Sequence, residues 1–331
     1  MNPPTPTPTP PPATAPAKSN RKNFHRGVIF GTLLGIALQV GGYLLMAGAG
    51  TAMGLVLFGL VPFVSCFAVA AVVRGRRRVL ACCLTAGLTT LSILLFTGWE
   101  GIVCCVMASP LLAAAGAVGA VMGYQVRGRL IDQLPDPDKA TLLLLLLCPL
   151  FLAASDRVER PHRSVQQRED FTTETTVATG PERTWALIAR MDHLDGPRPF
   201  LLRVGLPVST RCELDRPAVG GHRVCYFDRG IIEQEVTDWR PPFNLGVRIT
   251  GSTLPGRHWL TFLDADYEFS PAGLGTRVVR RTAIGTRLYP RWYWRPLERW
   301  GVESEHEFVF SNIKRWAGAV TGSPTNAPAK P

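Results

Sequence analysis

The sequence predicts two unlike halves: an all-α transmembrane bundle, then an α+β domain in which a curved antiparallel sheet lies around a long C-terminal helix. Three observations predict it. Residues 27–73, 79–99 and 101–125 hold no charged side chain, and a helix needs roughly 20 apolar residues to cross a bilayer core of about 30 Å. From residue 171 onward, short alternating runs are separated by Gly, Pro and Asp turn signals, the pattern of half-buried strands. A helical period then runs from about residue 296 to 317, with Trp300, Phe308 and Ile313 among its apolar positions.

Residues 1–26 are rich in Pro and Thr and end in a basic flank, Lys18, Arg21, Lys22 and Arg26. They have almost nothing to bury and are expected to be a disordered tail. The tail sets the first apolar run too far along the chain for an ordinary cleaved signal peptide, so that run reads as a retained anchor. Residues 27–73 hold enough apolar chain for two spans, divided near residues 48–51.

Short loops rich in Lys and Arg stay in the cytoplasm. Arg74, Arg76, Arg77 and Arg78 separate spans two and three, and Arg127, Arg129 and Lys139 follow span four, whereas residues 48–51 and 98–101 carry no Lys or Arg. This alternation predicts an integral protein of the plasma (inner) membrane with a cytoplasmic N-terminus. Residues 140–155 are harder to place, because sixteen residues make about 24 Å of helix. Six consecutive leucines favour insertion, and Arg157, Arg160 and Arg163 favour the cytoplasm. The segment either spans or lies in the interface, so residues 27–155 hold four to five helices and the side occupied by the C-terminal half is undecided. Residues 156–169 read as a linker.

Glu100 is the one acid or base between residues 79 and 125 and lies at a loop, so a passive anchor is expected rather than an ion path. Gly119 and Gly123 stand at GxxxG spacing in a small-residue face, suited to close helix packing within the bundle or to self-association between copies. Cys82–Cys83 and Cys104–Cys105 fall at opposite membrane ends in this topology and read as apolar filler, and Cys66 and Cys148 are lone. Cys212 and Cys225 can pair across neighbouring strands if their half faces an oxidising compartment.

In the second half, residues 171–178 read as a strand. Thr179-Gly180-Pro181-Glu182 then opens a helix with a proline in its first turn and an acid near its positive end. Strands are expected at 209–214, 222–227, 231–239, 245–250, 258–270 and 276–287, with short connections that imply an antiparallel meander. Residues 318–331 are expected to be a second disordered tail.

Residues 170–317 resemble the START-like helix-grip superfamily (SRPBCC), especially its polyketide cyclase/dehydrase and lipid-transport branch. The resemblance rests on the opening strand with Ala178-Thr179-Gly180-Pro181-Glu182-Arg183-Thr184-Trp185, on Ile232-Glu233-Gln234-Glu235-Val236-Thr237-Asp238-Trp239-Arg240-Pro241-Pro242, on Gly275-Thr276-Arg277, and on a long closing helix ending Phe310-Ser311-Asn312-Ile313-Lys314-Arg315-Trp316. It covers under half the chain and its motifs are structural. It implies a sheet gripping the last helix around a cavity that in many relatives holds a sterol, lipid, polyketide or other apolar ligand. Candidate ligand-binding residues are Trp259, Tyr267 and Phe269 on one face of the penultimate strand, Arg280 on the last strand and Phe308 on the helix.

Catalysis is not expected. His222, His258 and His306 are the candidate bases, and Glu233 and Glu235 share a strand face, but no nucleophile elbow, metal-spaced His/Cys set or phosphate loop accompanies them. No metal and no cofactor is implied. The formal charge of +11 is partly orientation signal. Arg287, Arg291, Arg295 and Arg299 interleave with Tyr289, Trp292, Tyr293 and Trp294, and with no nucleic-acid recognition motif present this segment suits a lipid headgroup zone. Residues 288–294 are therefore expected to contact the membrane as a lid or loop. The expected function is non-catalytic binding of a lipid or other hydrophobic small molecule. The alternatives are a protein-interaction or regulatory module with a filled core and, below it, a cyclase-like or hydrolytic enzyme.

Overall fold

The computed structural model describes residues 19–47, 54–98, 100–163, 166–257 and 259–321. Of the tails expected at residues 1–26 and 318–331, residues 1–18 and 322–331 lie outside them, as does His258, whereas residues 19–26 and 318–321 belong to helices. The first half is a bundle of five helices, α1 (Ser19–Ala47), α2 (Val61–Val72, entered through a π-helical turn at Val56–Leu60), α3 (Arg76–Phe96), α4 (Ile102–Arg129) and α5 (Pro137–Arg163). Four stretches within it, Gly27–Leu45, Arg76–Phe96, Ile102–Gln133 and Asp138–Glu159, are long and apolar enough to cross a membrane.

The second span expected within residues 27–73 is the stretch Val56–Val72, which is shorter than those four, and its residues are largely buried by the helices around it. Val61, Val64 and Ala68 pack against Leu34 and Leu38 of α1 and against Leu144, Leu145, Cys148 and Leu152 of α5. Gly119 and Gly123 face α2 within the same chain: a Cβ at Gly119 would lie 2.1 Å from the Phe63 carbonyl oxygen, and one at Gly123 would lie 2.3 Å from that of Phe67. The GxxxG spacing is thus used for packing inside the bundle. Pro110, inside α4, cannot donate to the Val106 carbonyl, and the Ser109 hydroxyl bonds it instead at 2.8 Å.

Other helices close the two ends of this inner stretch. The Glu159 carboxylate accepts from the backbone N–H groups of Leu55 and Val56 at 2.6 and 2.9 Å. Arg127 donates to the Ala71 and Val72 carbonyls, the latter at 2.7 Å, and pairs with Asp132, which Arg74 also approaches. An acid at a helix N-terminus and a base at its C-terminus satisfy groups the helix leaves unbonded and oppose its dipole.

To join these ends, α5 runs the full depth of the bundle. The apolar segment that looked too short is the middle of a 27-residue helix, about 40 Å long. It continues through most of the residues read as a linker, and β1 begins at Gln167. Arg157, read as a cytoplasmic signal, lies on that helix beyond the leucine run.

The second half is a curled seven-stranded antiparallel sheet in the order β1-β7-β6-β5-β4-β3-β2. Its strands are β1 (Gln167–Val177), β2 (Ser209–Leu214), β3 (His222–Phe227), β4 (Gly230–Arg240), β5 (Asn244–Ser252), β6 (Leu260–Ala272) and β7 (Gly275–Thr286), with α6 (Pro181–Arg190) and a short α7 (Phe200–Val204) between β1 and β2. Register shifts at Glu233/Gln234, Val236/Asp238 and Phe262/Asp264 sharpen the bend of the sheet. The long helix α8 (Arg291–Thr321) packs Phe308, Val309 and Ile313 into the core with Val177, Val236, Leu245, Tyr267 and Val278. This is the helix-grip arrangement expected from the sequence. Cys212 and Cys225 face each other across β2 and β3 and form a disulfide.

α8 starts earlier than its sequence pattern suggests. Pro296 reads as a first-turn proline, yet Arg291 reaches forward to Glu298 at 2.7 Å and across to Glu169 of β1 at 3.0 Å, holding an extra turn ahead of it. Arg295 pairs with Glu169 at 2.9 Å, and Arg299 lies over the Phe171 ring. Arg291, Arg295 and Arg299, expected on a basic membrane-facing surface, are therefore engaged within the domain.

Two outcomes follow from this packing. Gly119→Val should destabilise the bundle by about 3 kcal/mol or more, the upper range for overpacking, because the obstacle is backbone. A lowered melting temperature of the detergent-solubilised chain, with Gly87→Ala as an unhindered control, is the measurement. His306, fully buried between Thr173 and Thr282 hydroxyls each at 2.7 Å, has its pKa held well below the usual histidine value by burial and then by Arg280. The unfolded chain takes up a proton near pH 6.5 that the folded chain refuses, so this contribution is complete above about pH 6.5. It is lost as pH falls below that, at up to about 1.4 kcal/mol per pH unit. Melting temperature should fall over that window, and His306→Gln should flatten the fall.

Candidate functional site

Where the two halves meet, Trp294 from the first turn of α8 packs its ring on Phe58 of the inner helix at 4.8 Å between centroids. Leu288, Tyr43, Leu57, Leu94 and Ala108 complete the buried layer. The Tyr293 hydroxyl donates to the Met107 carbonyl of α4. Glu100, between α3 and α4, accepts from the Trp259 indole N–H at 3.1 Å and from the Tyr43 hydroxyl at 2.9 Å. Burial raises the Glu100 pKa above the usual carboxylate range, against the lowering effect of those two bonds.

Two cavities adjoin at this layer. α3 and α4 pack on α1 and α2 more than on each other, and the space between them is a groove of about 700 Å³ running from Arg76 and Gln125 at one end of the bundle to Glu100, Trp259 and Trp294 at the other. Its walls are apolar, and Leu80, Leu84, Leu88 and Val121 along it are exposed on the outside of the bundle. The second cavity, about 180 Å³, lies in the helix-grip domain and is closed at the junction by Gly101, Val103, Cys104 and Met107 of the bundle. Cys104, Trp259, Leu288 and Trp294 line both. The first volume falls within the roughly 300–1,000 Å³ of small-molecule sites and the second falls below it.

The smaller cavity contains buried charge. Arg223 of β3 is 2 % exposed and Arg280 of β7 is 8 % exposed, and both line it with Gln234, Tyr267 and Glu305. Arg280 Nη2 lies 2.8 Å from Glu305 Oε2, and its guanidinium stands 5.1 Å from the Tyr267 ring centroid. Among the described residues, Arg223 donates to neutral acceptors alone, Gln234 Oε1 and the Ile188 carbonyl, each at 3.2 Å. Arg223 Nε, Arg280 Nε and Arg280 Nη1 are buried without a hydrogen-bond partner among the described residues, and each unmet buried donor costs about 1–3 kcal/mol. Burial pushes the Arg223 pKa down. Burial acts the same way on Arg280, but the Glu305 carboxylate and Tyr267 outweigh it and hold that pKa up.

The sequence candidates divide accordingly. Trp259, Tyr267 and Arg280 line the helix-grip cavity. Phe269 and Phe308 are packed into the apolar core instead and are not among its lining residues. Of the four aromatics expected at the membrane, Tyr293 and Trp294 contact the bundle of their own chain, while Tyr289 and Trp292 are 41 % and 75 % exposed. Residues 288–294 are thus part junction and part surface, rather than one free loop. His222 is exposed, and Glu233 and Glu235 lie on the face of β4 opposite Ile232, Gln234 and Val236. Arg223, Gln234 and Glu305 were not singled out from the sequence. The readable signal was Gln234, a polar residue in the buried register between Ile232 and Val236, paired across the strands with Arg223.

No family model matches this chain, and no curated protein matches it. Solved structures match one half of it. Ara h 8.0201 is 13 % identical with a TM-score of 0.34, over 46 % of this chain and 99 % of its own. A protein from Arthrobacter aurescens is 16 % identical with a TM-score of 0.33, over 47 % of this chain and 88 % of its own. A protein from Thermus thermophilus is 16 % identical with a TM-score of 0.32, over 46 % of this chain and 100 % of its own.

Proposed function

We propose that this chain is a membrane-held, non-catalytic protein that binds a lipid or other hydrophobic small molecule drawn from the bilayer through the side of its bundle. The observation that carries the reading is the shared wall: a lipid-sized apolar groove between α3 and α4 meets the helix-grip cavity at Trp259, Leu288 and Trp294. A groove flanked by outward-facing leucines admits an acyl chain without exposing it to water. Among the described residues neither cavity brings a histidine to a carboxylate, and His306 sits between hydroxyls instead, so the reading includes no chemical step. The small volume inside the helix-grip domain favours the alternative, a protein-interaction or regulatory module whose core is nearly filled.

The same reading includes an orientation in the plasma (inner) membrane. The helix-grip domain contacts the bundle beside Glu100 and Met107, at the end opposite Arg74, Arg127 and Asp132. With those basic loops in the cytoplasm, α5 carries the domain to the outer side, and the Cys212–Cys225 disulfide suits an oxidising compartment.

Organic extraction of the detergent-purified full chain, followed by mass spectrometry, should yield a near-stoichiometric lipid-like molecule. A folded chain that yields none and takes up no fluorescent lipid would transfer the reading to the interaction module. Alkaline phosphatase fused after Pro331 should be active in cells and green fluorescent protein dark. The reverse pattern would put the domain in the cytoplasm.

A further inference from the structure

The helix-grip cavity holds an excess of buried positive charge. Of its charged lining, Glu298 is held by Arg291 and Arg257 is exposed, which leaves Arg223 and Arg280 as two buried cations against Glu305 as one anion, and among the described residues three of their guanidinium nitrogens lack hydrogen-bond partners. Arginine remains charged in proteins, and a buried charge is tolerated only when paired or well hydrogen-bonded. Among the described residues, Arg223 has no carboxylate partner. An ordinary apolar cavity would use neutral side chains at these positions, whereas planar forks of N–H donors match the oxygens of a carboxylate or phosphate. The cavity is also too small for a whole lipid, but its wall continues through Trp259, Leu288 and Trp294 into the groove. A molecule shared between the two would place its head among the arginines and its chain in the bundle.

We propose that the ligand is an anionic amphiphile, with a carboxylate or phosphate oxyanion held by Arg223 and Arg280 and a single apolar chain running past Trp259, Leu288 and Trp294 into the groove between α3 and α4. This rests on the lipid-binding reading above and narrows it to a charge class. Tyr267 flanks Arg280, Gln234 orients Arg223, and Glu305 competes with the ligand for Arg280.

The test is native mass spectrometry of the detergent-purified full chain titrated separately with palmitate, palmitoyl lysophosphatidate, hexadecanol and inorganic phosphate. At least one of the two anionic amphiphiles should bind about tenfold or more tighter than hexadecanol, the scale of a charge-assisted hydrogen bond. That ratio should collapse in Arg223→Gln and in Arg280→Gln, and widen in Glu305→Gln. Preference for palmitate assigns a carboxylate head and preference for lysophosphatidate a phosphate ester; both support the proposal. Equal binding of the alcohol and the two anions by the unaltered chain overturns it while leaving lipid binding intact, and needs no variant to fold. Inorganic phosphate binding as tightly as lysophosphatidate also overturns it, by assigning a free anion. Failure of every chain-bearing probe to bind removes the lipid reading itself.

Discussion

The inner stretch Val56–Val72 is short for a hydrocarbon core, and the bundle is organised by how its ends are satisfied. With backbone donors at one end and acceptors at the other, it needs an acid above and a base below if water is absent. Glu159 and Arg127 meet that need from different helices. Delivering Glu159 to the N-terminal end requires α5 to travel the depth of the bundle, because its other end is near Asp132. The helix-grip domain follows α5 almost immediately, so its place at that end is a consequence of the same hydrogen bonds.

That placement brings a junction into being. Leu288, just ahead of α8, Trp294 in its first turn, and Trp259, just ahead of β6, meet helices that belong to the first half. Aromatic rings with one polar atom suit such a boundary, where an apolar body packs and an N–H or O–H finds an acceptor. Trp259 and Tyr293 find theirs in Glu100 and Met107. The layer seats the domain and also forms the common wall of two cavities, so the packing that joins the halves lies on the route between them.

Inside the domain, apolar burial and charge burial are kept apart. The core between sheet and helix is filled by Phe308, Ile313, Leu245 and Val236, and Phe269 joins them, so two aromatics that the resemblance offered as pocket residues pack the core instead. Charge is gathered instead at Arg223, Arg280 and Glu305. His306, bonded to β1 and β7 through two threonines, remains neutral beside Arg280 and ties α8 to the sheet, which accounts for a buried histidine without assigning it chemistry.

Local pattern determined much of this protein. Charge-free runs marked α1, α3 and α4, three of the helices long and apolar enough to cross a membrane, and alternating residues between Gly and Pro turns placed β2 and β3 to the residue, because amphipathic period and turn geometry are properties of neighbours in sequence. The extent of α5 was decided by tertiary contact, since sixteen apolar residues are ambiguous until Glu159 and Asp132 find partners on other helices. The early start of α8 was decided by Arg291 reaching Glu169 and Glu298. The candidate site was least legible. Arg280, Tyr267 and Trp259 could be named from a resemblance, but Arg223 became visible only where β3 meets β4, and Phe308 could be assigned to core rather than cavity only once neighbouring side chains had filled the space around it. A cavity is what remains after distant residues have packed, and its volume and charge are sums over contacts that no local period records.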